Sequence, residues 1–354
     1  MNYKKSKRNN RINRDKEKIV ETANQEGTTM QPGRPFANRL EPLNRILDLS
    51  ADGWAVWCCA PIYGPDNKIH VFFTRTPEHI DTWKAQGEIA HATADDPAGP
   101  YTVHGTVIKG RGPGYWDCDG LINPRIYKVD DGYALFYHGI GDVSLPELIR
   151  VRGAGIGLCL SNDLWHWTYA NGGNRVLGPS DDPDAWDYFR CDNPSFLKHP
   201  TNGEYWLYYT GARLRDQGLH DSPGLACSKT LEGPYVRKLN RPVVDSSRML
   251  SRVSRKPFRG LEDPHVWIEN GRYCMLVHDM GYDEEENGGW YFESNDGIHW
   301  SDPTLGHHGP THYWNEPGRL ETPLILRDGS GASDYLFVNR DTAGLATGFV
   351  FKIR

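Results

Sequence analysis

The sequence predicts an all-β fold, a five-bladed β-propeller with a short N-terminal helical extension. Two observations carry that reading. First, a unit of carboxylate or amide, proline and β-prone run, followed by a turn and a second apolar run, occurs five times. Its prolines are Pro61, Pro124, Pro194, Pro264 and Pro323, at steps of 63, 70, 70 and 59 residues. Second, another punctuation mark falls between successive prolines: Ala98-Gly99-Pro100-Tyr101, Leu164-Trp165-His166-Trp167, Glu232-Gly233-Pro234-Tyr235 and Gly297-Ile298-His299-Trp300. Those read as the turn between the third and fourth strands of a four-stranded unit. Short strands and turn residues at a fixed long period are the mark of radial repetition.

In chain order, residues 1–44 form a basic segment and linker. Eight Lys and Arg crowd its first eighteen residues, and Ile12, Ile19 and Ala23 trace a thin apolar stripe between Arg11 and Asn24. Two readings stand: a solvated tail, or a helix that packs on a partner subunit. Pro32, Pro35 and Pro42 make the linker extended. Residues 45–354 form the propeller, and Asn44 to Leu49 is a weak candidate for an outer strand that closes the ring. The innermost strands are expected to begin near residues 59, 122, 192, 262 and 321. Four long loops, Gly139 to Gly153, Arg213 to Gly224, Asp245 to Gly260 and Thr304 to Gly318, are of a length that is usually functional.

Composition fits a carbohydrate-facing β protein, with 12 Trp, 18 Tyr, 38 Gly and 24 Pro. The net charge of −6 and the lack of an aromatic-basic motif argue against nucleic acid as a partner. The seven cysteines lack metal-type spacing and read as reduced, buried thiols. No apolar run is long enough to span a membrane, so no membrane partner is expected. The polar N-terminus lacks the apolar core of a secretory signal. The expected compartment is cytoplasmic, or periplasmic if a leader has been removed.

The chemistry collects at the prolines. Two residues before each stand Cys59, Ile122, Asp192, Glu262 and Glu321; one residue before stand Ala60, Asn123, Asn193, Asp263 and Thr322. Trp116-Asp117 and Trp186-Asp187 each precede a unit at matched spacing. Asp117, Asp192, Asp263 and Glu321 are therefore expected to converge on one funnel, where like charges raise one another's pKa. Trp116, Trp186, Trp314 and Tyr115 offer flat faces for sugar C–H surfaces. Arg125, His138 and Arg213 are donors for hydroxyl groups. Each residue also has a plainer use. An acid before a strand proline is more often a turn former, and that reading has the advantage for Asp192 and Glu262. Propeller tryptophans commonly pack between blades. His265, His278 and His299 are expected to satisfy local hydrogen bonds, or one near the axis to hold a structural divalent cation; no other cofactor is required.

The order of an Asp at a blade mouth, a Glu262-Asp263-Pro264 two blades on and a Glu before Pro323 resembles the five-bladed glycoside hydrolases of families 43 and 117. Family 117 acts on anhydro-galactose ends of agar-type oligosaccharides. The resemblance implies an exo-acting, inverting hydrolase that removes a terminal sugar such as 3,6-anhydro-L-galactose from an algal or plant oligosaccharide. It further implies Asp117 as base, Asp263 tuning pKa and orienting sugar, Glu321 as acid, and a homodimer joined through a swapped N-terminal segment. In the family 117 pattern a His precedes the acid, whereas Leu320 stands there in this chain. Glu321 itself or a loop histidine (His307, His308 or His312) is then the donor, and Asp119 competes with Asp117 for the base. Two alternatives stand beside the hydrolase. One is a phosphorylase using Arg252, Arg255, Lys256 and Arg259, and the other is a non-catalytic sugar-binding propeller.

Overall fold

The computed structural model describes residues 34–78, 85–215, 218–249, 260–280, 288–341 and 347–354. Five four-stranded antiparallel sheets stand around one axis. Blade 1 is β2 (Trp54–Tyr63), β3 (Ile69–Pro77), β4 (Glu88–Ala94) and β5 (Thr102–Lys109). Blade 2 is β6 (Gly120–Val129), β7 (Gly132–Ile140), β8 (Gly155–Ser161) and β9 (Thr168–Tyr169). Blade 3 is β10 (Arg190–Lys198), β11 (Tyr205–Arg215), β12 (Gly218–Ser228) and β13 (Val236–Arg237). Blade 4 is β14 (Leu261–Glu269), β15 (Arg272–Asp279), β16 (Gly289–Ser294) and β17 (Thr304–His307). Blade 5 takes β18 (Arg319–Arg327), β19 (Ser333–Asp341) and β20 (Thr347–Ile353) from the C-terminus. Its fourth strand is β1 (Leu40–Ile46), which pairs with β20.

The expected third-to-fourth-strand turns fall where the sequence put them. Two repeat one device: Asp163 and Asp296 each accept two backbone N–H bonds and a bond from the following His166 or His299. The ring closes earlier than expected, with β1 starting at Leu40 and Phe36 already buried against Trp267 and Tyr291. Arg213 to Gly224, read as a loop, is an extension of the β11–β12 hairpin that stays in register to its tip. The Gly139 to Gly153 segment contains helix α1 (Glu147–Gly153), and Thr304 to Gly318 contains β17 and helix α2 (Pro310–Trp314). The N-terminal helix and the Arg252–Arg259 cluster lie outside the described residues.

Each inner strand breaks register near its head, and that break builds the funnel. The residue before the proline takes a positive φ in four blades: Asn123 53°, Asn193 48°, Asp263 53° and Thr322 52°. The ladder skips that residue and its proline. Asn and Asp tolerate this conformation; a β-branched Thr is strained there and is held by its hydroxyl bond to Asn339, 3.1 Å. In blade 1 the break falls at Cys58 (φ 54°), with Cys59 in the proline's place. The equivalent of Asp192 and Glu321 is therefore Trp57, two residues earlier than the alignment on Pro61 implied. In three blades the side chain facing the break from the second strand supports the next blade. Thr74 accepts the Asn123 N–H, Thr210 that of Asp263 and Asn339 that of Cys59. Farther along the inner edges, Tyr127, Ser195 and His265 accept the N–H of Phe196, Val266 and Ile325. Edge donors that would otherwise be buried unpaired are so satisfied blade to blade.

Candidate active site

At the ring position just before each break stand Trp57, Ile122, Asp192, Glu262 and Glu321. Facing them across the ladder are Thr74, His138, Thr210, His278 and Asn339. Blades 3, 4 and 5 thus deliver acids, and blades 2 and 4 put histidines where the others carry Thr or Asn. Arg190, at the head of β10, ties the acids together. Its Nε donates to Asp192, its Nη1 lies 3.2 Å from Asp221 and its Nη2 donates to Glu262 at 2.7 Å. His138 Nδ1 stands 3.4 Å from Asp192. Glu321 lies 2.8 Å from Arg319 Nε and 3.7 Å from His278 Nε2. Asp263 sits one residue deeper on the axis, its carboxylate 3.2 Å from the fully buried Arg125, which also reaches Cys58.

Five carboxylates therefore share three guanidinium groups, and their proton affinities diverge. Burial pushes Asp192 up, but Arg190 and His138 outweigh it and hold the carboxyl below its usual range. Burial dominates at Asp221, where the Glu262 and Asp192 charges add to it and Arg190 opposes, and the result is a rise to about 8. Asp263 is likewise raised, by burial first and then by Glu262 and Asp192, against the pull of Arg125. The funnel thus sets an acid that gives up its proton readily, Asp192, beside one that retains it, Asp221. Burial also keeps His278 neutral. Neither of its ring nitrogens meets a hydrogen-bond partner among the described residues. One donor atom each from Glu262, Asp263 and His278 falls within 4.8 Å of the others. That oxygen-rich set suits a hard divalent cation.

Several expected site residues lie elsewhere. Asp117 is fully buried on the face of blade 2 that packs on blade 1, above Gly139, whereas His138 and Asp192 meet on the opposite face. Arg111 Nε (2.7 Å) and Tyr137 Oη (3.0 Å) saturate it. Asp187 repeats the arrangement with Arg237 (2.6 Å) and Tyr209 (2.7 Å), so the Trp-Asp pairs are blade latches. Trp116 and Trp186 lie over Tyr137 and Tyr209, and Trp314 packs on Phe349 and Phe351. These three rings pack, partly buried, against the sheets and stand outside the ring of acids. Asp119 accepts the Val143 N–H at 2.6 Å and anchors the loop to α1. Arg125 is part of the axis beneath the funnel. Asp192, Glu262, Asp263, Glu321 and His138 do converge.

Arg190, Asp221 and Arg319 were missed, and His278 was expected only to satisfy local hydrogen bonds or to hold a cation near the axis. For His278 a signal existed, since it occupies the second-strand position that faces a break. For Asp221 there was none, because the hairpin bearing it read as a loop. His307 is buried beside Gly289, next to His278, while His312 and His308 stack on each other at 3.8 Å on the α2 segment.

No family model matches the chain, and no curated protein does either. Solved structures do. A family 117 glycoside hydrolase from Zobellia galactanivorans aligns at a TM-score of 0.64 and 14% identity, over 88% of this chain and 89% of that one. An endo-arabinase from Bacteroides thetaiotaomicron aligns at 0.56 and 11%, over 88% and 98%. A thermostable family-43 glycoside hydrolase aligns at 0.56 and 9%, over 85% and 93%. At these identities the likeness is one of fold: the chain shares the five-bladed propeller of these proteins.

Proposed function

We propose that the chain is a glycoside hydrolase with its active site in the funnel floor. The observation that carries this reading is the convergence of Asp192, Glu262 and Glu321, from three successive blades, on one ring position with opposed proton affinities around them. Inverting hydrolysis requires one ionised carboxylate to take a proton from water and one protonated carboxyl to give a proton to the leaving oxygen, about 6.5–9.5 Å apart. Asp192 is the base in this reading, since Arg190 and His138 keep it ionised. Glu321, two blades away and beside neutral His278, is the acid. Arg319 opposes its protonation, but that side chain is one third exposed, so solvent screens it. Asp263 tunes the site from below through its proton and its pairing with Arg125.

The fold neighbours named as hydrolases of families 43 and 117 support a sugar substrate. Removal of a terminal sugar, of which 3,6-anhydro-L-galactose is one candidate, by a homodimeric enzyme is part of the same proposal. The test is a screen of algal and plant oligosaccharides for released monosaccharide, with and without phosphate, with the fresh product's anomer read by proton NMR. Release independent of phosphate with inverted configuration is expected. Phosphate-dependent release would make the chain a phosphorylase, and no release from any substrate would leave only a binding role.

A further inference from the structure

A cavity of about 430 Å³ opens between blades 1 and 2 on their outer strands, away from the inner-strand heads that carry the acids. Val107 and Lys109 of β5, Arg111 and Tyr115 of the following loop, and Trp167 and Tyr169 at β9 are among its walls. Its chemistry is specific. Arg111 lies between two phenol rings, 4.4 Å from the Tyr115 centroid and 4.8 Å from that of Tyr169. Asp117 and the Gly173 carbonyl fix that guanidinium. The Arg111 sandwich leaves Tyr115 with 52% of its surface exposed, an unusual state for a large aromatic held on one side by a rigid cation. The Trp167 indole stands edge-on to Phe72, and its buried N–H meets no acceptor among the described residues. No carboxylate lines the cavity.

We infer that this cavity is an accessory sugar-binding site that holds one or two units of an oligosaccharide outside the funnel. The inference rests on the glycosidase reading for the class of ligand. Flat rings accept the C–H faces of a sugar, while the Lys109 ammonium is a donor for hydroxyl and ring oxygens. The volume lies in the range of small-ligand pockets. An anionic peptide or a lipid tail fits less well, since the guanidinium is already neutralised by Asp117 and the walls alternate apolar and polar groups. The latch at Asp117 thereby gains a second use, holding rigid the cation on which Tyr115 rests.

The experiment titrates the full chain carrying Glu321→Gln with xylohexaose, arabinohexaose and neoagarohexaose by calorimetry, then repeats it with Tyr115→Ala added. Release of sugar from the same panel by the parent chain is measured alongside. Two molecules bound per chain, falling to one with Tyr115→Ala, is the expected result. Lys109→Ala should weaken the second site by about tenfold. A single site in the starting chain, or two sites that survive Tyr115→Ala, overturns the inference. Cleavage without a Tyr115-dependent site refutes the accessory site alone. A Tyr115-dependent site without cleavage refutes the catalytic reading alone, and neither refutes both.

Discussion

Replacing Arg190 by Met removes the one cation that touches Asp192, Asp221 and Glu262 together. The substitution keeps the length of the stem and deletes the charge. Breaking a buried ion pair by removing one partner costs about 3–5 kcal/mol, because the other charge is left uncompensated. Unfolding entropy of about 2.1 cal/mol/K per residue gives this chain roughly 0.7 kcal/mol/K, so Tm should fall by about 4–7 °C at pH 8. The pH dependence is the sharper readout. Without Arg190 the Asp192 carboxyl loses the charge that held it below its usual range, and burial then raises it. A group raised in the folded state gives stability that is present at low pH and lost as pH rises through its folded pKa. The deficit should therefore shrink on going from pH 8 to pH 5, as protons take the place of the guanidinium. Thermal unfolding of parent and variant across that range measures it. A deficit equal at both pH values would mean that Arg190 acts by packing alone, and would refute the electrostatic account of the funnel.

Asp221→Asn removes an acid raised to about 8, whose contribution is fully present at pH 4 and lost by pH 8. The variant should gain stability relative to the parent as pH rises over that span, which denaturant titration at pH 5 and pH 8 would show. Asp117→Ala and Asp187→Ala each strand a part-exposed guanidinium and a buried tyrosine hydroxyl. Both should lower stability by about 1–3 kcal/mol, the cost of a buried group left without its hydrogen bond, and the protein that remains folded should keep its turnover per molecule; turnover abolished by the first and not the second would restore Asp117 as the base. Arg319→Met takes a cation from beside Glu321, so the alkaline limb of the kcat profile should move to higher pH, and a limb that does not move would exclude Glu321 as the titrating acid.

Much of the architecture was legible because it is written locally. A left-handed residue followed by proline must break a ladder, so Asn123-Pro124, Asn193-Pro194 and Asp263-Pro264 announced three inner strands, and blade count followed from their spacing. Blade 1 was misaligned for the same reason: Cys58-Cys59 performs the break without a proline, while Pro61 sits past it in regular strand. The acids at the ring were found by position and not by type. That method could not separate Asp117 from Asp192, since sequence spacing does not say which face of blade 2 a side chain takes. It also could not see Arg190, whose role depends on Asp221 arriving from a hairpin and Glu262 from the next blade. Trp116 and Trp186 looked like sugar platforms because packing is not encoded in residue type; Gly139 and Gly211, which leave room for their rings, were the overlooked sign that they lie against the sheet, partly buried.

The central claim is that Asp192 and Glu321 perform base and acid chemistry on a sugar, and one experiment reaches it directly. The oligosaccharide that the parent cleaves is offered to Asp192→Asn and Glu321→Gln, alongside an aryl glycoside of the same sugar with an activated phenol as leaving group. Loss of a general acid or base typically costs about 10²–10⁴-fold in rate. Both variants should lose that much on the oligosaccharide, and Glu321→Gln should recover most of its rate on the aryl glycoside, which needs no protonation, while Asp192→Asn should not. Near-parental cleavage of the oligosaccharide by either variant would contradict the account.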